Sequence, residues 1–207
     1  MNGIETFREL KPNKVVHKLV TLISDGLPFF SSSKEFEAVL RKKKNENQHS
    51  EAYCLFTTNF CKSRFHFMRE SSQIGSSTVD IGVYKGAILM FVIEAKILPT
   101  PEGTPQKPRY EYEYVYGKGA AIQRFKDIKH GVDNEGIPFS DSGVIAFIKD
   151  NDFNFWFEKV NQWISDAKWH TSEQLQKINI NTAATLLSAH TRNDGTKIRL
   201  HHFWVCV

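Results

Sequence analysis

A chain of 207 residues, 41% hydrophobic and 24% charged, has the length and composition of one soluble globular domain with a substantial core. A net charge of +4 permits nucleic-acid binding without demanding it. Cys54, Cys61 and Cys206 lack zinc-site spacing, no apolar run reaches membrane-spanning length, and Glu5 and Glu9 do not suit a signal peptide, so the expectation is a cytoplasmic protein with free thiols and no membrane segment.

Taken in order, the first predicted element is an amphipathic helix from Lys14 to Ser24, stopped by Asp25-Gly26-Leu27-Pro28. Ser31 to Ser33 can cap a second helix with Phe36, Val39 and Leu40 on its apolar side, running into the basic cluster Arg41-Lys42-Lys43-Lys44. That cluster is either a solvated face or a DNA contact. Asn45 to His49 reads as a break, Ser50 to Lys62 as a third helix opened by Glu51, and Arg64 to Arg69 as the first strand, followed by a Ser- and Gly-containing loop over 70–77.

Ser76 to Leu98 reads as a β-hairpin around Tyr84-Lys85-Gly86. Its second strand, Ala87 to Leu98, is almost wholly apolar, as a strand buried on both faces should be. Glu94 and Lys96 interrupt it on one face, while Ile93, Ala95 and Ile97 take the other. The partner strand carries Asp80. Buried charges need a partner or a metal, so the three should converge. A two-residue turn at Lys85-Gly86 would set Asp80 against Phe91 and away from Glu94, so convergence predicts a three-residue loop or a bulge that brings Asp80 beside Val92.

Four prolines between Pro99 and Pro108 exclude helix and central strand, and the loop should leave the sheet beside Lys96. Arg109 to Tyr116 carries four tyrosines, which suit either a half-exposed strand or aromatic patch, or a surface on which unpaired bases stack. A helix is predicted over Ala120 to His130 with Gly131 as its C-terminal cap. A buried strand follows from Ser142 to Lys149, then an aromatic-rich amphipathic helix from Asp152 to Lys168. A hairpin formed by Ala184–His190 and Lys197–Val207 turns at Asn193-Asp194-Gly195. His190, His201 and His202 read as strand residues.

Asp80 followed by Glu94-Ala95-Lys96 at the end of an apolar strand resembles the PD-(D/E)XK (restriction-endonuclease-like) nuclease signature, with Val79 where a Pro usually precedes the Asp. Acid-x-Lys also occurs at Asp127-x-Lys129 and Asp166-x-Lys168, but in polar, helix-like surroundings. The resemblance implies an α/β fold with an αβββαβ core over about residues 31–150, the ends being additions to a single domain. It implies a Mg²⁺-dependent endonuclease, with Mn²⁺ able to substitute, acting on nucleic acid with DNA favoured. Asp80, Glu94 and the Ala95 backbone carbonyl would hold the metal, and Lys96 would orient the attacking water. Glu51 is the candidate for the acid that such folds carry on the helix before the first core strand; a favourable helix dipole explains it equally. Gln123, Arg124 and Lys126 would hold backbone phosphates, although Asp127 stands where a Tyr often follows that Gln. A nuclease without a reader domain suits a restriction enzyme, usually a homodimer, or a defence effector with a partner subunit. The rival readings are a catalytically inactive nuclease-fold module and an unrelated α/β protein in which Lys96 forms a buried ion pair with Asp80 or Glu94.

Overall fold

The computed structural model describes residues 14–40, 45–62, 64–73 and 77–207, so the basic cluster Arg41–Lys44 lies outside the described residues. Its strands are β1 (His66–Ser72), β2 (Thr78–Lys85), β3 (Ile88–Leu98), β4 (Asp141–Ile148), β5 (Gln176–Ile180), β6 (Ala183–Thr191) and β7 (Lys197–Cys206). They form one seven-stranded open sheet in the order β1-β2-β3-β4-β7-β6-β5. The outer strands pair antiparallel on both sides, while β4 runs parallel to both β3 and β7. Helices α1 (Lys14–Gly26), α2 (Lys34–Leu40) and α3 (Glu46–Phe60) cover one face; α4 (Ala121–Lys126) and α5 (Phe153–Asp166) cover the other. The fold is therefore α/β with a mixed sheet between helical layers, and no described helix is long and apolar enough to cross a membrane.

Strand β4 is buried at every position, which explains why its sequence is apolar on both faces from Val144 to Ile148. The C-terminal hairpin is more than an addition to the margin: β7 pairs along β4 from Asp141–Arg199 to Ile148–Cys206, so the sheet's interior depends on the last strand of the chain. The edge strand β5 was not expected. Its residues are largely exposed, so no apolar pattern marks it.

Two helix boundaries differ from expectation for identifiable reasons. Asn45 to His49 is the start of α3, because the Asn45 side chain accepts the Gln48 N–H at 3.0 Å and the Gln48 side chain accepts the Asn45 N–H at 3.3 Å. This reciprocal capping box satisfies otherwise orphaned backbone donors. Helix α4 stops at Lys126, four residues before His130, and Ile128 adopts a left-handed φ of 58°. The chain after it is clamped from outside. Gln73 accepts the N–H groups of Gly131 and Val132, and the Arg192 guanidinium donates to the carbonyls of Phe125, Gly131 and Phe139.

The hairpin contains the expected irregularity, in a different place. Gly86 and Ala87 form the turn, with Gly86 at φ 61°, and Lys85 pairs with Ile88. The ladder then shifts: Tyr84 faces Leu89 but Val83 faces Phe91, leaving Met90 without a partner. With Ile81 opposite Ile93, the register extended by one residue sets Asp80 opposite Glu94, two places beyond the Val92 expected. Without Met90 as an extra residue Asp80 would face Ile93, whose side chain packs in the α1–α3 layer.

Helix α3 docks on the sheet through an aromatic joint. The Phe30 ring lies 5.1 Å from Phe36, 5.4 Å from Tyr53, 5.6 Å from Phe56 and 5.9 Å from Phe147 of β4. Phe30→Ala should cost about 3–5 kcal/mol and lower the melting temperature by at least about 6 °C. A loss below about 1 kcal/mol in urea denaturation would show that α3 is held elsewhere.

Candidate active site

Strands β2 and β3 part beyond the Ile81–Ile93 pair, and Asp80 turns into the gap. Its carboxylate accepts the Ala95 N–H at 2.7 Å, taking the place of a main-chain acceptor. A strand residue directs its N–H and C=O to the same side, so the Ala95 carbonyl also faces this gap rather than β4. Glu94, 1% exposed, points from the next position of β3 towards the α4 side. Its Oε1 lies 2.9 Å from Arg124 Nη1 and 3.4 Å from Lys96 Nζ. Its Oε2 lies 3.0 Å from His130 Nδ1, and neither of these buried atoms bonds to any other group.

The two carboxyls are driven apart electrostatically. Burial raises the Asp80 pKa, the charge of Glu94 raises it further, and Lys96 and the Ala95 N–H only partly compensate, leaving it at about 7. Burial opposes ionisation of Glu94 too, yet Lys96, His130 and Arg124 together outweigh it and hold that group down at about 2. Burial works against the Lys96 ammonium, but Glu94, Glu46 and Asp80 more than offset this and its pKa is raised. Near neutrality the site therefore holds one firmly ionised acid, a second acid ready to lose its proton, and a buried ammonium.

The remaining candidates divide. Arg124 reaches Glu94 and is a third exposed, so it borders both the cluster and solvent. Gln123 donates to Asp127 at 2.8 Å, one turn along its own helix, and is half-buried. Lys126 is a correction to the expected phosphate contact. It is buried, ion-paired with Glu173 and seated 4.1 Å from the Trp169 ring centre, because two residues along a helix turn a side chain about 200° away. Glu51 is a second correction. It is exposed, and the acid of α3 that acts on Asp80 and Lys96 is Glu46, in the first turn. Glu46 also pairs with Arg109 at 3.4 Å, where the chain returns from the Pro99–Pro108 loop. His130 and Glu46 were thus missed. Asn45-x-x-Gln48 was a usable signal for the second; nothing local marks the first.

Among the described residues, no group of three or more His, Cys, Asp and Glu side chains is disposed to hold a metal. Two carboxylates plus a main-chain carbonyl nevertheless suit a hard cation that keeps several of its own waters. The Glu94 oxygen lacking a hydrogen bond and the proton-retaining Asp80 both fit a place for added positive charge. Comparison with protein-family models, with curated proteins and with solved structures finds no match to this chain.

Folded Asp80 holds its proton more tightly than the unfolded chain, whose aspartate titrates near 3.8, so Asp80 subtracts stability progressively as pH rises from that value to about 7. Asp80→Asn removes this term. In metal-free buffer the variant should melt at least about 2–4 °C above wild type at pH 8, with the difference shrinking towards pH 4. A variant that melts lower at pH 8, or a pH-independent difference, would contradict the electrostatic account.

Proposed function

We propose that this chain is a metal-dependent nuclease of the PD-(D/E)XK, restriction-endonuclease-like kind, hydrolysing phosphodiester bonds with DNA as the favoured substrate. The observation that carries this reading is the meeting of Asp80, Glu94 and Lys96 at the parted end of β2 and β3, made possible by the unpaired Met90. The run of α2, α3, β1, β2, β3, α4 and β4 supports it, since it follows the αβββαβ order with one extra helix.

Asp80, Glu94 and the Ala95 carbonyl would hold Mg²⁺, with Mn²⁺ able to replace it. When bound, such an ion polarises a phosphoryl oxygen and lowers the pKa of a coordinated water. The chain's own residues supply the rest. Lys96, fixed by Glu94, sets a positive charge where negative charge gathers on phosphorus as the water oxygen bonds to it and the leaving oxygen departs. Arg124, partly in solvent, can exchange its bond to Glu94 for one to a phosphate oxygen, which positions the strand without reading its sequence. His130 lies beside the far oxygen of Glu94, and Glu46 pairs with Arg109. A restriction or defence role, as a homodimer or with a partner subunit, is the setting this activity suggests.

One observation favours a second reading. Glu94 already has Lys96, Arg124 and His130 around it, which is what a purely structural buried ion cluster looks like. Cleavage separates the two. Wild type in Mg²⁺ or Mn²⁺ should cut at least one of plasmid, linear duplex, single-stranded DNA and RNA, and Lys96→Met should lose about 100-fold or more while still melting cooperatively. No cutting by wild type, or equal cutting by both, would contradict the nuclease reading.

A further inference from the structure

The tyrosine-rich segment after the proline loop is an aromatic patch rather than a strand. Glu111–Tyr114 is a single turn of 3₁₀ helix, and the tyrosines on either side of Tyr114 come together. Tyr110 and Tyr112 stack with ring centres 5.0 Å apart and planes 6° from parallel; Tyr112 and Tyr116 stack at 4.8 Å and 7°. Tyr114 turns inward, fully buried, where its hydroxyl meets His202 Nδ1 and receives the Trp204 indole N–H, each at 2.8 Å. One tyrosine anchors the segment and three form a parallel pile. Tyr112 and Tyr116 lean on the core beneath α5, whereas Tyr110 is 47% exposed.

The pile is offset-stacked, with centres 4.8–5.0 Å apart and planes within 7° of parallel, an ordinary aromatic arrangement that is repeated here over three rings and ends at a ring 47% exposed. Its outer member offers an open, oriented aromatic face whose partners already lie in the stacking plane, so a fourth flat ring extends it at little cost in side-chain entropy. The pile is tied to the candidate site from both ends. Before it, Arg109 bonds to Glu46, the acid acting on Lys96 and Asp80, and Glu113 accepts the Tyr110 N–H at 3.2 Å. After it, the Gln123 N–H donates to the Val115 carbonyl, which sets α4 and therefore Arg124 against the segment. Lys118 is exposed, while the part-exposed Arg109 is paired with Glu46 and Glu113 and Arg124 with Glu94.

We propose that the Tyr110 face is a stacking platform for an unpaired nucleobase of the strand whose phosphate lies at Asp80 and Glu94, so that the substrate is single-stranded or carries an unpaired stretch. This rests on the nuclease reading and narrows it. A base inside a duplex has both faces covered by its neighbours and cannot take such a place; a base in a single strand can, whatever its identity.

The test is fluorescence anisotropy in Ca²⁺ with three labelled oligonucleotides: a single strand, the same sequence as a blunt duplex, and the same strand with abasic positions. Wild type should bind the single strand more tightly than the duplex. Tyr110→Ala should weaken single-strand binding roughly ten- to hundredfold, the loss expected for one base–aromatic stack, with duplex binding unchanged. Tyr110→Trp should restore it, and the abasic strand should bind wild type as weakly as the intact strand binds Tyr110→Ala. Equal single-strand binding by wild type and Tyr110→Ala, or preference for duplex, would overturn the platform and leave the nuclease reading to the cleavage result. Absence of binding to all three by wild type would overturn both.

Discussion

A single unpaired residue governs what this sheet can do. Side chains alternate along a strand, so inserting Met90 on one arm of the hairpin reverses which residues of β2 share a face with Glu94. With it, Asp80 lies opposite an acid; without it, Asp80 would lie opposite Ile93 in the layer under α1–α3. Bulges of this kind aim side chains. The bulge lies nearer the turn than the acids do, so the strands are offset before they reach Asp80 and then part, leaving the Ala95 N–H and carbonyl to face the gap.

The electrostatics follow from that placement. Two acids brought together in a buried position cannot both ionise cheaply, and their neighbours are arranged unequally around them. Lys96, Arg124 and His130 all crowd Glu94, whereas Asp80 has a backbone N–H and the more distant Lys96. The arrangement sits on the almost wholly buried β3 and on the half-buried β2, and its support is distributed widely. Gln73 and Arg192 hold the loop bearing His130, the capping box sets Glu46 in the first turn of α3, and the Phe30 joint seats α3 on the sheet. A cluster supported from β1, α3, α4 and the β6–β7 hairpin is part of the architecture rather than a surface ornament.

Much of this was legible in the residues, and the limit has a physical form. Periodicity located α1, β4 and α5, because each buries a continuous face: Phe153, Trp156, Val160 and Ile164 of α5 repeat at helical spacing. The charged residues in an apolar strand marked the hairpin, and alternation required an irregularity in it. What failed was set by distant contacts. Helix α4 appeared to run on to Gly131, but the clamps that end it come from residues 58 and 61 positions away. Lys126 looked like a companion of Arg124 until Glu173, 47 residues on, claimed it. Glu51 and Glu46 are five residues apart on one helix, about 140° around it, and only the helix's true start decides which one faces the sheet.

If Asp80 and Glu94 together hold a divalent cation, as proposed, isothermal titration of Mn²⁺ will show it. Wild type at pH 6–6.5 should bind the ion saturably with release of protons, because an acid that titrates at about 7 is still mostly protonated there and must give up its proton to serve as a ligand. Glu94→Gln should bind at least about tenfold more weakly. Wild type that takes up no Mn²⁺, or Glu94→Gln that binds it as tightly with the same proton release, would contradict the account and leave the cluster as an ion pair that holds the sheet together.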